Sequence, residues 1–297
     1  MRRLSRTSLL AAALVASASA AHAQYQGYAL TTINGAQQLV RFNTATPGSY
    51  TLLGATGASL TGIDFRPATN ELFGFNGSAV FTLNLGTGAA SQVGGGIGET
   101  VGGDVGFDFN PTVDRIRLVG PSNVNRRLNP DNGANVLTNG MPDGPYAYEA
   151  GDVNAGATPS FNAVAYTNSD TDPATGTTLF GIDRNFGTLV QVIQPNGGAV
   201  RTLGSIGLPA GATVTGFDIV TVGGTNMAFF TTVGAAGSSL YLLDLTSRAS
   251  TLVGSFGANV SMQGLAVSAV PEPGTWALMA AGLAGVAGVA RRRRRSA

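Results

Sequence analysis

The sequence predicts an all-β protein, a β-propeller of five four-stranded blades, and three observations carry that prediction. Between Gln24 and Val270 apolar residues nowhere recur at helical spacing over three turns; they come in short alternating runs bounded by Gly, Asn, Asp and Pro, which is the strand pattern. Five segments align internally: Gly62-Ile63-Asp64-Phe65, Gly106-Phe107-Asp108-Phe109, Ala163-Val164-Ala165-Tyr166, Gly216-Phe217-Asp218-Ile219 and Gly264-Leu265-Ala266-Val267. Their second residues lie 44, 57, 53 and 48 positions apart, and three further strand-like runs follow each of the first four, a blade-like repeat.

In chain order, "GYALTT", "QQLVRFN" and "SYTLLGA" form three strands with no aligned segment before them, whereas the segment at Gly264 has none after it. Combining the two completes a fifth blade in which Leu265-Ala266-Val267 pairs with the strand around Tyr28-Ala29-Leu30 and the sheet ring closes, leaving no open edge. "ELFGFN", "AVFTLNLGTG" and "ASQVGG" complete the blade begun at Gly62, and "TNMAFFTTV", "SLYLLDLTS" and "ASTLVGS" the one begun at Gly216. The leading Gly or Ala of each segment is expected where inner strands crowd around the axis. The Gly-rich run Val93–Gly103 reads as a flexible link. It lacks the helix and the Lys that a phosphate site would need. The segment Gly140–Pro159 is longer than a connection between blades requires.

The part of the chain between Gln24 and Val270 carries nine arginines against fifteen acids, a net charge of −6, and it has no Cys, Lys, His or Trp. Disulfides, thiolate nucleophiles, His-ligated metals, Ser-His-Asp triads and Schiff-base lysines are thereby excluded from it. An acidic domain also argues against nucleic acid or anionic lipid as its main ligand. The whole-chain charge of +1 comes from the two ends.

Those ends read as targeting signals. Arg2, Arg3 and Arg6, the apolar run Leu9–Ala16 and Ala21-His22-Ala23 make residues 1–23 a secretory signal peptide, with residues 24–268 as the propeller domain. Arg2-Arg3 hints at twin-arginine export, but its flanking residues favour the general route. Residues 269–297 hold Pro271-Glu272-Pro273, an uncharged apolar run over 275–290 and arginines at 291–295. As a helix that run spans about 24 Å, short of a bilayer core of about 30 Å but within reach of it with flanking residues. The positive-inside bias holds the arginines at the cytoplasmic face.

This tail resembles the PEP-CTERM sorting signal of Gram-negative bacteria. The resemblance implies secretion, an inner-membrane intermediate, removal of the tail by an exosortase-type enzyme, and association with the cell surface or exopolysaccharide matrix. A permanent single-pass anchor is the simpler alternative. In the middle of the chain, "RRLNPDNGANVL" (126–137), "YAYEAGDVNAGATPSFNAVAYTNSD" (146–170) and "TTLFGID" (177–183) resemble a family of exported bacterial proteins classified only as a domain of unknown function. That resemblance implies a propeller-like extracytoplasmic domain and no catalytic residues.

Three groups are candidate sites. Asp64, Asp108 and Asp218 recur in the aligned segments, either as a ring of carboxylates facing the channel that holds a cation or as caps of the turns that follow; Ala165 and Ala266 at the equivalent positions favour caps. Asp170 and Asp172, beside Asn168 and Thr175, are hard oxygen donors of the kind Ca²⁺ takes. They lack the glycine and the acid that an EF-hand loop would place at its sixth and twelfth positions, and no other cofactor is expected. In the long segment, Tyr146, Tyr148, Glu149 and Asp152, with Arg126 and Arg127, are placed to stack on and hydrogen-bond a sugar, or else the segment is a strap packed on its own aromatics. The expected function is therefore a non-catalytic surface or matrix protein that binds exopolysaccharide or a protein partner. The alternative is a carbohydrate-active enzyme working through paired carboxylates.

Overall fold

The structure is a computed structural model that describes residues 25–170 and 172–269. The expected signal peptide and the sorting tail, with Pro271, Glu272, Pro273, the apolar run and the arginine cluster, lie outside the described residues.

Five sheets make five blades. Blade 1 holds β1 (Tyr25–Ile33), β2 (Ala36–Asn43), β3 (Thr51–Ala55) and, on the inside, β20 (Met262–Ala269). Blade 2 runs outward through β4 (Gly62–Arg66), β5 (Glu71–Phe75), β6 (Val80–Leu83) and β7 (Ala90–Val93). Blade 3 has three strands, β8 (Gly106–Asn110), β9 (Arg115–Gly120) and β10 (Val124–Leu128). Blade 4 has five: β12 (Val164–Tyr166), β13 (Leu179–Asp183), β14 (Thr188–Gln194), β15 (Ala199–Ser205) and, outermost, β11 (Ala147–Tyr148). Blade 5 is β16 (Thr213–Val222), β17 (Thr225–Gly234), β18 (Gly237–Leu243) and β19 (Ser250–Ser255).

The five aligned segments are the five inner strands, and these form a closed ring: β20 neighbours β4, then β8, β12, β16 and β20 again. Closure is by the expected pair. β20 runs antiparallel to β1 with Tyr28 opposite Ala266 and Gly27 opposite Val267, and a bulge follows before Leu30 meets Gln263. Gly264 sits in that bulge at φ +65°, a left-handed conformation that glycine tolerates.

Because a blade is buried on both faces, alternate residues of one strand serve two cores. Tyr28 and Leu30 of β1 pack toward Ile63 and Phe65 of blade 2, whereas Ala29 between them packs toward Val220 and Phe229 of blade 5. In β5, Leu72 faces the blade 1 side and Phe73 and Phe75 face Phe107 and Phe109 of blade 3. One apolar cluster lies at each of the five interfaces between blades. Strands that read as continuous apolar runs are thus a consequence of the architecture.

Two departures from uniform four-stranded blades stand out. Blade 3 has no full outer strand: after β10 the chain turns at Asn129, with Gly133 N donating to the Asn129 carbonyl, and Asn135 returns only as an isolated bridge to Leu128. The Asn135 side chain donates instead to the Ile97 carbonyl and to Glu99. The long segment then crosses to blade 4, where β11 adds in parallel to β15. The Gly-rich link is also firmer than expected. Ile97 and Val101 are buried, and their N–H groups donate to the Ser78 and Gly77 carbonyls.

Candidate functional site

The axis is the first candidate. Each inner strand is the edge of its sheet and presents unpaired N–H groups to its neighbour around the ring, and in the absence of water these need acceptors. Asp64 accepts from Phe65 N through Oδ1 and from Phe109 N through Oδ2, both at 2.7 Å. Asp108 accepts from Tyr166 N at 2.8 Å, and Asp218 from Val267 N at 2.5 Å and from Ile219 N. Three carboxylates therefore satisfy one N–H from each of five inner strands. Asp64 and Asp218 each cover two strands, and this is why alanine suffices at positions 165 and 266. The carboxylates do cap backbone N–H groups, but those of their own and the neighbouring inner strand and not of the turns that follow. The turn after β8 is capped by Asn110, whose Oδ1 accepts from Thr112 N.

One oxygen from each aspartate lies within 4.8 Å of the others, and all three residues are buried. Desolvation raises the pKa of each. For Asp64 the nearby Asp218 adds to the effect, and for Asp108 both other carboxylates do; Asp218 is pushed up to about 7. The trio borders a pocket of about 180 Å³, below the roughly 300–1,000 Å³ of typical small-ligand sites. Chemically, three buried carboxylates this close together need a proton or a cation to offset their charge, and their hard oxygens are donors that suit Ca²⁺.

The second candidate, the long segment, is knitted into blades 3 and 4. Tyr146 and Tyr148 are buried; the Tyr146 hydroxyl donates to Asn125 Oδ1 at 2.9 Å and the Tyr148 hydroxyl to Asp183 Oδ2 at 2.6 Å. Burial raises the pKa of both phenols. Asp152 accepts from the backbone N–H and the hydroxyl of Thr202. Glu149 pairs with Arg201 and Arg126 with Glu99 at 2.6 Å. The two tyrosine rings face the core and so do not present a stacking surface to a sugar; the segment has the geometry of a strap. Of the six residues expected around a ligand, Arg127 lines an open cleft.

In the third candidate, Asp170 Oδ1 accepts from Asp172 N and from the Thr175 hydroxyl, and Asp172 Oδ1 accepts from Ala174 N. Asp172 is thereby the N-cap of a short 3₁₀ turn, Pro173–Thr175. Both carboxylates have a structural partner within the loop.

A fourth place has no single motif in the sequence. Between blades 3 and 4 a cleft of about 570 Å³ is lined by Arg115, Arg117 and Arg127 from β9 and β10, by Tyr166 at the end of β12, by Gln194 at the end of β14 and by Asn196 in the turn that follows. Arg117 is buried and donates to Asn125, Asp143, Asn196 and the Tyr166 hydroxyl. Asp143 also accepts two hydrogen bonds from Arg127. This cluster fastens the strap at Asp143 and Gly144 to β9 and β10. Its members lie up to 79 positions apart, so only the folded chain brings them together.

Over residues 38–266 the chain matches the model of the domain of unknown function DUF4394. The chain belongs to this family. Residues 269–295 match the PEP-CTERM protein-sorting motif, so the protein is exported, routed by way of the membrane and handled by exosortase-type sorting machinery. No curated protein matches the chain. Among solved structures the chain is similar to one from a nidogen/laminin complex, at 12% identity over 82% of this chain and 98% of that one, with a TM-score of 0.48. A putative TolB from Agrobacterium tumefaciens is 10% identical over 84% and 100% of the two chains, with a TM-score of 0.41. A putative 6-phosphogluconolactonase from Bacteroides uniformis is 12% identical over 78% and 67%, with a TM-score of 0.39.

Proposed function

We propose that this domain is a non-catalytic binding module, exported through an N-terminal signal peptide and displayed at the surface or in the exopolysaccharide matrix of a Gram-negative bacterium once its tail has been processed. The observation that carries the reading is the engagement of its carboxylates. Hydrolysis of a glycosidic bond without His or Cys needs two acids facing each other across a substrate, about 5–9.5 Å apart. The axial aspartates cluster with one oxygen from each within 4.8 Å of the others, lie buried, and accept from strand N–H groups. Glu149 and Asp152 are tied to Arg201 and Thr202. An open, arginine-lined cleft between blades 3 and 4 offers a surface suited to binding.

The test uses protein recovered from the producing bacterium. Its mass is expected to lack the residues after the neighbourhood of Pro273, and a panel of glycoside substrates is expected to show no turnover. An intact tail ending in the arginines would replace matrix display with permanent anchoring. Turnover lost in Asp64→Asn or Glu149→Gln, with the fold retained, would establish a carboxylate mechanism and overturn the binding reading.

A further inference from the structure

We infer that the cleft between blades 3 and 4 is an anion site that takes an acidic saccharide, its carboxylate held by the free guanidinium edges of Arg115 and Arg127 and its hydroxyls by the amides of Gln194 and Asn196. The inference rests on the binding role proposed above and narrows it to one place and one ligand charge.

Charge is the first support. Three guanidinium groups line the cleft and no carboxylate does. Asp143, behind it, is shared between Arg117 and Arg127 at 2.7 and 2.8 Å, so one acid answers two of the three cations. Asp114, next to Arg115 in the chain, and Asp131 both pair with Arg66, at 2.5 and 2.9 Å. In a domain with fifteen acids and nine arginines, this local excess of positive charge runs against the net field. It therefore favours one specific anion over general attraction of polyanions.

Unused donors are the second support. Among the described residues Arg115 makes one hydrogen bond, from Nη1 to the Asp114 carbonyl at 2.7 Å, and no ion pair. Arg127 donates from Nε and Nη2, which leaves Nη1 without a partner among those residues. A guanidinium fork matches a carboxylate geometrically and forms its strongest hydrogen bonds there. The rest of the lining suits neutral hydroxyls. No described residue accepts a hydrogen bond from the Gln194 or Asn196 amide nitrogen, and Asn196 is held in place by Arg117, which donates to its Oδ1 at 2.8 Å. A ligand that carries both a carboxylate and hydroxyls uses every element of this surface, and a bare inorganic anion uses only the arginines. At about 570 Å³ the cleft also has the size of a small-ligand site.

Titration calorimetry on the exported protein, with trigalacturonate, maltotriose and inorganic phosphate as probes, tests this. The expected result is binding of trigalacturonate that weakens with added salt, little or none of maltotriose, and phosphate weaker than trigalacturonate. Arg115→Gln should weaken trigalacturonate by about tenfold, the worth of one charge-assisted hydrogen bond, Arg115→Lys should recover part of that loss, and Arg201→Gln, on β15 outside the cleft, should have no effect. Equal affinity for maltotriose, or trigalacturonate binding indifferent to Arg115→Gln, overturns the anion site and leaves the general binding role standing. Absence of binding to all three overturns the site. If a broad glycan panel is then also blank, the saccharide-binding role falls with it.

Discussion

Asp108 differs from Asp64 and Asp218 in covering one inner-strand N–H instead of two, so one of its carboxylate oxygens accepts no hydrogen bond among the described residues. Its negative charge is the least compensated of the three, and burial together with the neighbouring Asp64 and Asp218 pushes its pKa up. A carboxyl with a raised folded-state pKa keeps its proton where the unfolded chain has lost it. Its contribution to stability is full below the ordinary value and is lost as pH rises; for Asp218 that window runs from 3.8 to about 7. The domain is therefore expected to melt at progressively lower temperature across that range. Asp108→Asn keeps the acceptor for Tyr166 N, removes a like charge and supplies an N–H to its neighbours. By calorimetry in chelator at about pH 8 it should raise Tm, each kcal/mol gained being worth about 2–4 °C, and it should flatten the pH dependence. A lower Tm for the variant without chelator would mean that a bound cation, and not a shared proton, neutralises the trio. The recurrence of these aspartates was visible in the sequence, but their partners were not, because the acceptor and donor lie 45 to 58 positions apart on different blades.

The leading glycines show at the level of a strand why the ring can close. A Cβ at Gly216 of β16 would sit 2.6 Å from the backbone of Gly264 and Leu265 on β20, and one at Gly106 of β8 would sit 3.0 Å from Val164 N on β12. These contacts are with main chain, which cannot rotate away. Gly216→Ala is expected to cost about 1–3 kcal/mol, the usual scale of overpacking, read as a lower urea midpoint. Gly95→Ala, in the link between blades 2 and 3 where an added Cβ meets nothing within 4 Å, should leave that midpoint in place. The inner strands were legible because their Gly/Ala-apolar-Asp/Ala pattern repeats once per blade. The missing outer strand of blade 3 and the added β11 were not. Both follow from long-range hydrogen bonds: Asn135 is drawn to Ile97 and Glu99, and Ala147 N donates to the Gly198 carbonyl. The same segment carries Tyr146 and Tyr148, whose composition suggests a binding loop and whose burial makes them anchors.

At the scale of the molecule, stability depends on one pair of strands from opposite ends of the domain. Loss of β20 strips β1 of its inner partner, removes one of the two N–H groups that Asp218 accepts from, and exposes the apolar residues of blades 5 and 1 that meet Leu265 and Val267. A chain ending after Ser255 is therefore expected to lose its β-sheet circular dichroism and its resistance to protease, whereas one ending after Ala269 should keep both. The number of blades was readable from the repeat, and the cleft between blades 3 and 4 was not, because its six named residues belong to four separate stretches that alternate with core positions. The position of the closing strand also sets an order in time. β20 ends at Ala269, and the sorting motif begins at that same residue. A chain leaving the cytoplasm N-terminus first releases four blades and three strands of the fifth while the ring still stands open. The last strand clears immediately ahead of the sorting signal, so the ring can close only just before the handle for sorting arrives. A product cut short anywhere upstream of β20 forfeits the closed ring and the sorting signal together.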